Sequence, residues 1–202
     1  VRCCTQNGVR GGSATVHFPI WHQEIEDILV LKNNKGTEDN RVRKLDYSIQ
    51  ITKLFYERFI KNAEISLFSP NHVPGLYEAF GMPEFDSMYL KYEKDKSVPR
   101  KTIGAQELFM DLLKERAETG RIYIMNLDHC NTHSSFKDKV YMSNLCQEIT
   151  LPTTPVQHID DKEGEIALCI LSAINLGLLS DMDELEELCD LSVRALDEII
   201  DY

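Results

Sequence analysis

The chain has 202 residues, of which 43% are hydrophobic and 27% charged, a balance typical of a globular protein long enough to bury a core. No apolar run approaches the roughly 20 residues needed to cross a bilayer, so the sequence predicts no membrane span. The net charge of -11 opposes binding to a nucleic-acid backbone. The small run of bases at residues 41–44 has acidic neighbours on both sides and is interpreted as solvated surface.

The first half of the chain alternates predicted strands and helices. Residues 1–12 are expected to form a glycine-rich loop, followed by a strand over residues 14–18 and a helix that begins after Pro19. A strand at residues 48–51 precedes a helix, and residues 65–68 form another short strand. The apolar face of that helix is expected to carry Leu54, Phe55, Phe59 and Ile60.

The second half continues the alternation. Helices are predicted at about residues 86–94 and 105–119, the latter ending at Gly120, with a buried strand over residues 122–127. Residues 143–151 and 165–172 are predicted to be extended strands joined by a surface turn. The inward residues of the helix at 105–119 are predicted to be Leu108, Leu112 and Leu113.

The last predicted element is an acidic amphipathic helix, for which Ser180 and Asp183 form a capping box. Its apolar side is expected to comprise Leu185, Leu188, Val193, Leu196 and Ile200. The alternating order of elements predicts an α/β fold, either an open sheet or a barrel. Because the chain starts at Val1 and stops at Tyr202 inside this helix, both ends are expected to be truncated.

Six cysteines occur without regular short spacing and without a signal peptide, at positions 3, 4, 130, 146, 169 and 189. This pattern indicates a reducing, cytoplasmic compartment. A working cysteine pair in such a compartment is expected to be redox-active rather than structural.

The most informative motif is SNLCQEI at residues 143–149, in which Asn144, Cys146 and Glu148 occupy alternate positions. In an extended chain these side chains would converge on one face. They would combine a reactive sulfur, a hydrogen-bonding amide and a general base in one pocket. The alternative is that Cys146 is only a small buried hydrophobe. Glu148 weighs against that reading, because a buried carboxylate is costly unless it is paired or used.

Cys169 lies in an apolar segment that could run beside the first and bring a second sulfur to the same pocket. The alternative is a core cysteine, since a redox thiol needs a partner whose Cα lies within about 7 Å.

Two other segments carry polar groups. The loop at residues 6–12 is cationic and hydrogen-bonding, which suits nucleotide contacts, although an ordinary glycine-rich turn is the alternative. The DHCNTH segment at residues 128–133 contains metal-ligand types. His129 and His133 would share a face only in a helix, whereas the preceding residues read as a strand, so no metal site is predicted.

Residues 144–148 and 6–12 together resemble the large, or alpha, subunit of class I (aerobic) ribonucleotide reductases, and within them class Ia. The resemblance spans nearly the whole chain. Further segments in the family's order are LVLKNN at 29–34, LFSP at 67–70, VPGLY at 73–77, GRIYI at 120–124, DHCNTH at 128–133 and AINLG at 173–177.

This resemblance implies a fold and a reaction. Residues 1–202 would be part of a ten-stranded α/β barrel, with residues 143–149 on a central finger loop that carries the radical cysteine. The activity would be reduction of ribonucleoside diphosphates to 2′-deoxyribonucleoside diphosphates for DNA synthesis. Cys146 would be the thiyl radical that removes the ribose 3′ hydrogen atom, Glu148 would take the 3′-hydroxyl proton, and Asn144 would bind the substrate hydroxyls.

Other residues receive roles from the same resemblance. Cys169 would be one half of the redox dithiol, with its partner upstream of Val1. Gln6 and Arg10 would relate effector identity to substrate choice. The residues expected to contact substrate are Asn144, Leu145, Cys146, Gln147 and Glu148.

The resemblance also implies partners. Effectors would be ATP and deoxynucleoside triphosphates, and the reductant would be thioredoxin or glutaredoxin. The chain itself would bind no cofactor, because a separate small subunit with a metal-tyrosyl site would supply the radical. The remaining large-subunit segments would be required, so the chain alone is expected to be inactive. Its compartment would be the cytoplasm, or the host-cell cytoplasm for a viral protein.

Two alternatives remain open. The chain could be a non-catalytic segment that completes the barrel of a split or decayed reductase. It could also be a cobalamin-dependent, class II relative that generates its radical without a small subunit.

Overall fold

The computed structural model describes residues 5–201, which fall into two compact units divided between Thr153 and Thr154. Cys3 and Cys4 lie outside the described residues. The strands are β1 Thr5–Gln6, β2 Arg10–Gly11, β3 Thr15–Pro19, β4 Asp46–Ile51, β5 Glu64–Leu67, β6 Lys101–Gly104 and β7 Ile122–Asn126. The α-helices are α1 Ile25–Leu29, α2 Lys53–Ile60, α3 Leu76–Ala79, α4 Phe85–Lys94, α5 Ala105–Thr119, α6 Leu127–Thr132 and α7 Asp183–Asp201. This mixture of elements confirms the α/β prediction.

A parallel sheet in the order β3-β4-β7 lies at the centre of the first unit. Its middle strand, β4, is buried on both faces. Ile49 and Ile51 point to one face and are fully buried. Ser48 and Gln50 point to the other face and are also fully buried, so this sheet has one apolar and one polar side.

Helices α2 and α5 contribute to the hydrophobic core on the apolar side. Phe55 of α2 and Leu108 and Leu112 of α5 are buried in the same cluster as Ile49. Gly120 ends α5 with φ 67, a left-handed conformation that glycine adopts without a side-chain penalty. The predicted end of this helix is therefore confirmed, and α5 leads directly into β7.

A second, antiparallel pair joins β5 to β6, with Ile65 opposite Ile103. The Tyr89 hydroxyl of α4 fixes this pair, because it accepts from the Ser66 N–H and donates to the Ser66 carbonyl, both at 2.7 Å. Burial raises the pKa of Tyr89 well above its usual range.

The sheets of residues 5–201 contain two, three and two strands and do not close into a barrel. Over the same residues, no helix is both long and apolar enough to span a membrane.

Several predictions within the first unit need correction. Pro19 is the last residue of β3, and α1 begins only at Ile25. Residues 5–11 form a two-stranded hairpin rather than a loop. Ile60 is 78% exposed, and Leu113 is 36% exposed, so neither faces the core as expected.

The second unit has little regular structure before α7. Residues 165–172 are not a strand; Glu165 makes an isolated bridge with Thr154, and the rest is irregular. The first turn of α7 is capped by Asp181, which accepts from two backbone N–H groups, while Glu184 reaches back to Ser180. The cap therefore uses Asp181 and Glu184 instead of the predicted Asp183. Of the predicted apolar residues, Leu185, Leu188 and Leu196 are half-buried, whereas Val193 and Ile200 are exposed.

Candidate active site

The polar face of the parallel sheet is the base of the candidate site. His17 of β3 is paired with Ser48 of β4, so these two residues share a face. Thr15 and Gln50, two residues away along each strand, lie on that same face. The sheet thus presents hydroxyl, imidazole and amide groups where a second apolar layer would normally be expected.

Residues 141–149 are attached to this face by hydrogen bonds from β3 and β4. The Thr15 hydroxyl donates to the Leu145 carbonyl at 2.6 Å. The Gln50 amide donates to the Tyr141 carbonyl at 2.5 Å. These bonds satisfy backbone oxygens of a segment that has no strand partner of its own.

Gln147 makes the most extensive contact with the sheet. Its Oε1 accepts a hydrogen bond from the Ser48 hydroxyl, and its Nε2 donates to the Ile124 carbonyl of β7 at 2.8 Å. The side chain therefore bridges two neighbouring strands. Both polar ends of its amide are engaged.

The motif at residues 143–149 is a tight turn and not the predicted strand. The Gln147 N–H donates to the Asn144 carbonyl at 3.2 Å, and Gln147 has φ 62. Asn144 stabilises the turn further, since its Oδ1 accepts from the Ile149 N–H at 3.1 Å. The alternation argument therefore fails for Asn144, Cys146 and Glu148. Hydrogen bonds to the polar face, which sequence periodicity does not reveal, decide the local conformation.

The turn leaves the two reactive side chains of the motif accessible. Cys146 is a free, exposed cysteine, and Glu148 is exposed as well. Asn144 and Leu145 are half-buried. The buried-hydrophobe reading of Cys146 is thus not what the described residues show. A thiol and a carboxylate two residues apart on a fixed turn can act in hydrogen-atom or proton transfer.

His17 lies under the same segment in an unusual state. Both imidazole nitrogens are buried and have no hydrogen-bond partner among residues 5–201. Burial lowers the pKa of His17, and the nearby backbone of Ser143 opposes the shift without forming a bond of normal geometry. The neutral imidazole is therefore favoured at this position.

Lys139 and Tyr141 lead into the turn. The Lys139 ammonium donates to the Glu78 carbonyl at 2.6 Å and lies 4.3 Å from the centre of the Tyr141 ring. Burial lowers the pKa of Lys139 to about 8, an effect that Glu78 and Glu84 oppose. The segment before the turn is therefore also held by a contact with α3.

The hairpin of β1 and β2 contains the predicted specificity residues. Gln6 and Arg10 are direct backbone partners across the hairpin, and Arg10 is exposed. Asn7 and Gly8 have φ 51 and 73 in the connecting turn, a conformation that both residue types tolerate. A cavity of about 810 Å³ lies beside Gly11, lined also by the basic run at residues 41–44.

Cys169 belongs to the second unit, where it is free and exposed. The segment around it is irregular, so the predicted neighbouring strand is wrong. Its pairing with another sulfur stays a prediction.

Residues 128–132 of the DHCNTH segment lie in α6, so the argument that His129 and His133 would not share a helical face fails. His129 and His133 consequently do approach each other, with ring centres 5.7 Å apart. Across residues 5–201 no group of three or more histidine, cysteine or acidic side chains could hold a metal ion.

Comparison with known proteins gives the same family as the sequence resemblance. A family described as ribonucleotide reductase, barrel domain, matches residues 1–202. The chain belongs to this family. Membership confirms the expectation that these residues form part of a barrel domain, and explains why the described sheets do not close by themselves.

Relatives in the reductase family match the chain from end to end. The ribonucleoside-diphosphate reductase subunit alpha of Haemophilus influenzae is 59% identical over 207 residues, covering 100% of this chain and 27% of that protein. Its counterpart in Buchnera aphidicola subsp. Schizaphis graminum is 58% identical with the same coverage. The subunit alpha of Enterobacteria phage T4 is 45% identical and is covered over 28% of its length. The chain thus spans about a quarter of these relatives.

Sequence reasoning missed the residues that support the turn, namely Thr15, Ser48, Gln50 and the side chain of Gln147. A signal was present in β4, where Ser48 and Gln50 alternate with Ile49 and Ile51. Such alternation is also produced by a solvent-facing strand, so the sequence alone did not distinguish solvent from a polar interior.

Proposed function

We propose that the chain is part of the catalytic barrel of a ribonucleoside-diphosphate reductase subunit alpha. The reaction would convert ribonucleoside diphosphates to 2′-deoxyribonucleoside diphosphates for DNA synthesis. The family match over residues 1–202 is the observation that carries this proposal. The position of Cys146 on a turn fixed to the sheet supports it, because radical chemistry needs a sulfur held in a defined position.

Three residues would act directly on the ribose. A thiyl radical at Cys146 would take the 3′ hydrogen atom and leave a carbon radical, while Glu148 would accept the 3′-hydroxyl proton. Asn144 would bind the substrate hydroxyls. Its Oδ1 is engaged by the backbone of Ile149, which orients the amide so that Nδ2 can serve as the donor.

A dithiol would supply the electrons. Cys169 and a partner thiol would give two electrons and two protons, the 2′-hydroxyl would leave as water, and the pair would become a disulfide. The Cys146 thiol would then return its hydrogen atom to the 3′ carbon, which restores the thiyl radical, and Glu148 would return its proton to the 3′ oxygen. Thioredoxin or glutaredoxin would reduce the disulfide before the next turnover.

The hairpin would connect regulation to substrate choice. Gln6 and Arg10, paired across β1 and β2, would respond to ATP or deoxynucleoside triphosphate effectors. The coupling would be allosteric, because effector and substrate occupy different sites. A small subunit with a metal-tyrosyl site would generate the radical, and the proposed compartment is the cytoplasm.

A graft tests the proposal in a complete subunit. The chain replaces the corresponding segment of Haemophilus influenzae subunit alpha, and CDP reduction is measured with the small subunit and thioredoxin. We expect the graft to form dCDP and Cys146→Ser to abolish dCDP formation, because serine cannot form an equivalent radical. The matched control is Cys189→Ser, which removes another free, exposed cysteine and should leave activity intact.

Equal rates of dCDP formation in the graft and its Cys146→Ser variant would contradict the proposal. Activity without any small subunit would contradict the assignment of the radical source and favour the cobalamin-dependent alternative.

A further inference from the structure

The backbone conformation of Gln147 needs contacts that stabilise it. Gln147 has φ 62, a left-handed conformation that is uncommon for residues other than glycine and asparagine. It directly follows Cys146 in the chain, so its backbone angles determine where the thiol lies. Contacts of the Gln147 side chain must therefore favour this conformation over the extended one that the sequence predicts.

These contacts are the two hydrogen bonds to the sheet. The Ser48 hydroxyl donates to Oε1, and Nε2 donates to the Ile124 carbonyl at 2.8 Å. Ser48 is fully buried in the middle strand of the sheet, which gives the bridge a rigid base. An extended chain at residues 144–148 would rotate the Gln147 side chain away from Ser48 and break both bonds.

We infer that Gln147 and Ser48 are positioning residues that fix Cys146 by holding its turn on the polar face of the sheet. The inference rests on the proposed function and deepens it. It also changes the expected role of Gln147, which family resemblance includes among the residues that contact substrate. An amide with both ends bonded to the sheet acts on the substrate only through the placement of Cys146.

Neighbouring bonds support the same segment at other points. Thr15 binds the Leu145 carbonyl at 2.6 Å, and Gln50 binds the Tyr141 carbonyl at 2.5 Å. Each of these ends on a backbone oxygen. The bond between Ser48 and Gln147 joins two side chains, so substitution can remove it from either end and the two results can be compared.

The test uses the full-length graft and measures kcat for CDP reduction together with the equilibrium Kd for CDP. Gln147→Met keeps the length of the side chain and removes both bonds, and we expect kcat to fall by about 100-fold. Ser48→Ala removes one bond and should lower kcat by about 10-fold. Ser48→Thr keeps the hydroxyl, so its kcat should match that of the unsubstituted graft. The Kd for CDP should stay within about twofold in every variant, because the inference gives Gln147 no contact with substrate.

The double variant Gln147→Met with Ser48→Ala should be no slower than Gln147→Met alone, since the two residues act through one interaction. Gln106→Met is the matched control. Gln106 is exposed and donates to the Phe59 carbonyl at 3.0 Å elsewhere in the same unit, so its loss should not change kcat.

A weaker Kd for CDP in Gln147→Met, with Ser48→Ala unaffected, would overturn the inference in favour of direct substrate contact. Unchanged kcat in both variants would overturn it as well. Neither result would contradict the proposed function. That proposal fails only if Cys146→Ser is as active as the unsubstituted graft.

Discussion

The His17 imidazole is the titratable group held beneath the reactive turn, with both nitrogens buried and unpartnered within the described part of the chain. Burial lowers its pKa, so the folded state takes up a proton less readily than the unfolded chain. An unfolded histidine titrates near about pH 6.5. Folding stability is therefore unaffected by His17 above that pH and declines as the pH falls through it, until the folded state is protonated too.

We expect His17→Gln to reduce this acid sensitivity, because glutamine keeps a polar side chain and does not titrate. Urea unfolding of the chain at a series of pH values from 8 to about 5 measures the effect. The free energy of unfolding should fall less steeply below about pH 6.5 in the variant. Parallel pH profiles for the two proteins would show that His17 does not contribute.

Individual residues also show where sequence reasoning reached its limit. Cys146 was identified because a thiol between an amide and a carboxylate is a conspicuous chemical pattern. The conformation of its turn was not predicted, because the φ of Gln147 depends on Ser48, which lies 99 positions away in the chain. A contact between side chains so distant in sequence leaves no periodic signal in either segment.

Among the elements, α5 has a polar contact at its buried side that fastens the loop after α1. Asn33 donates from Nδ2 to both carboxylate oxygens of Glu115, at 2.8 and 2.6 Å. Glu115 is only 7% exposed. A carboxylate in this position depends on its hydrogen bonds, since leaving it buried without them is costly.

We expect Asn33→Ala to lower the free energy of unfolding by about 1–3 kcal/mol, because the Glu115 carboxylate loses its donor. Asn34→Ala is the control, since Asn34 is the exposed neighbour of the same residue type. Urea denaturation of both variants gives the comparison. Equal losses would mean that the buried contact contributes nothing specific.

Elements with strong local signals were predicted well, and irregular segments were not. The span of α5 follows from its apolar spacing and from Gly120, and β4 follows from alternation. The segments at 143–151 and 165–172 contain enough apolar residues to resemble strands. Whether such a segment pairs depends on whether a partner edge is available, which is a property of the whole fold and not of the segment.

At the scale of the whole molecule, the two units carry different parts of the proposed chemistry. Cys146 lies in the first unit and Cys169 in the second. Because the dithiol must be oxidised and reduced once in each turnover, both units would be needed for sustained activity.

We expect Cys169→Ser in the full-length graft to abolish thioredoxin-dependent multiple turnover, because serine cannot form the disulfide. The amount of dCDP formed per subunit over time is the measurement, and Cys189→Ser is the control with an unchanged rate. Sustained turnover in Cys169→Ser would exclude this residue from the redox pair.

The polar face of the sheet has a consequence for sequence variation. The bonds from Thr15 and Gln50 end on the carbonyls of Leu145 and Tyr141, and the Gln147 amide ends on the carbonyl of Ile124. Every residue type has a carbonyl, so Leu145, Tyr141 and Ile124 can be exchanged without removing these bonds. The donor side chains cannot be exchanged as freely. Homologous proteins are therefore expected to vary in residue type at the three acceptor positions. The donor residues are expected to change only when the turn that they hold changes as well.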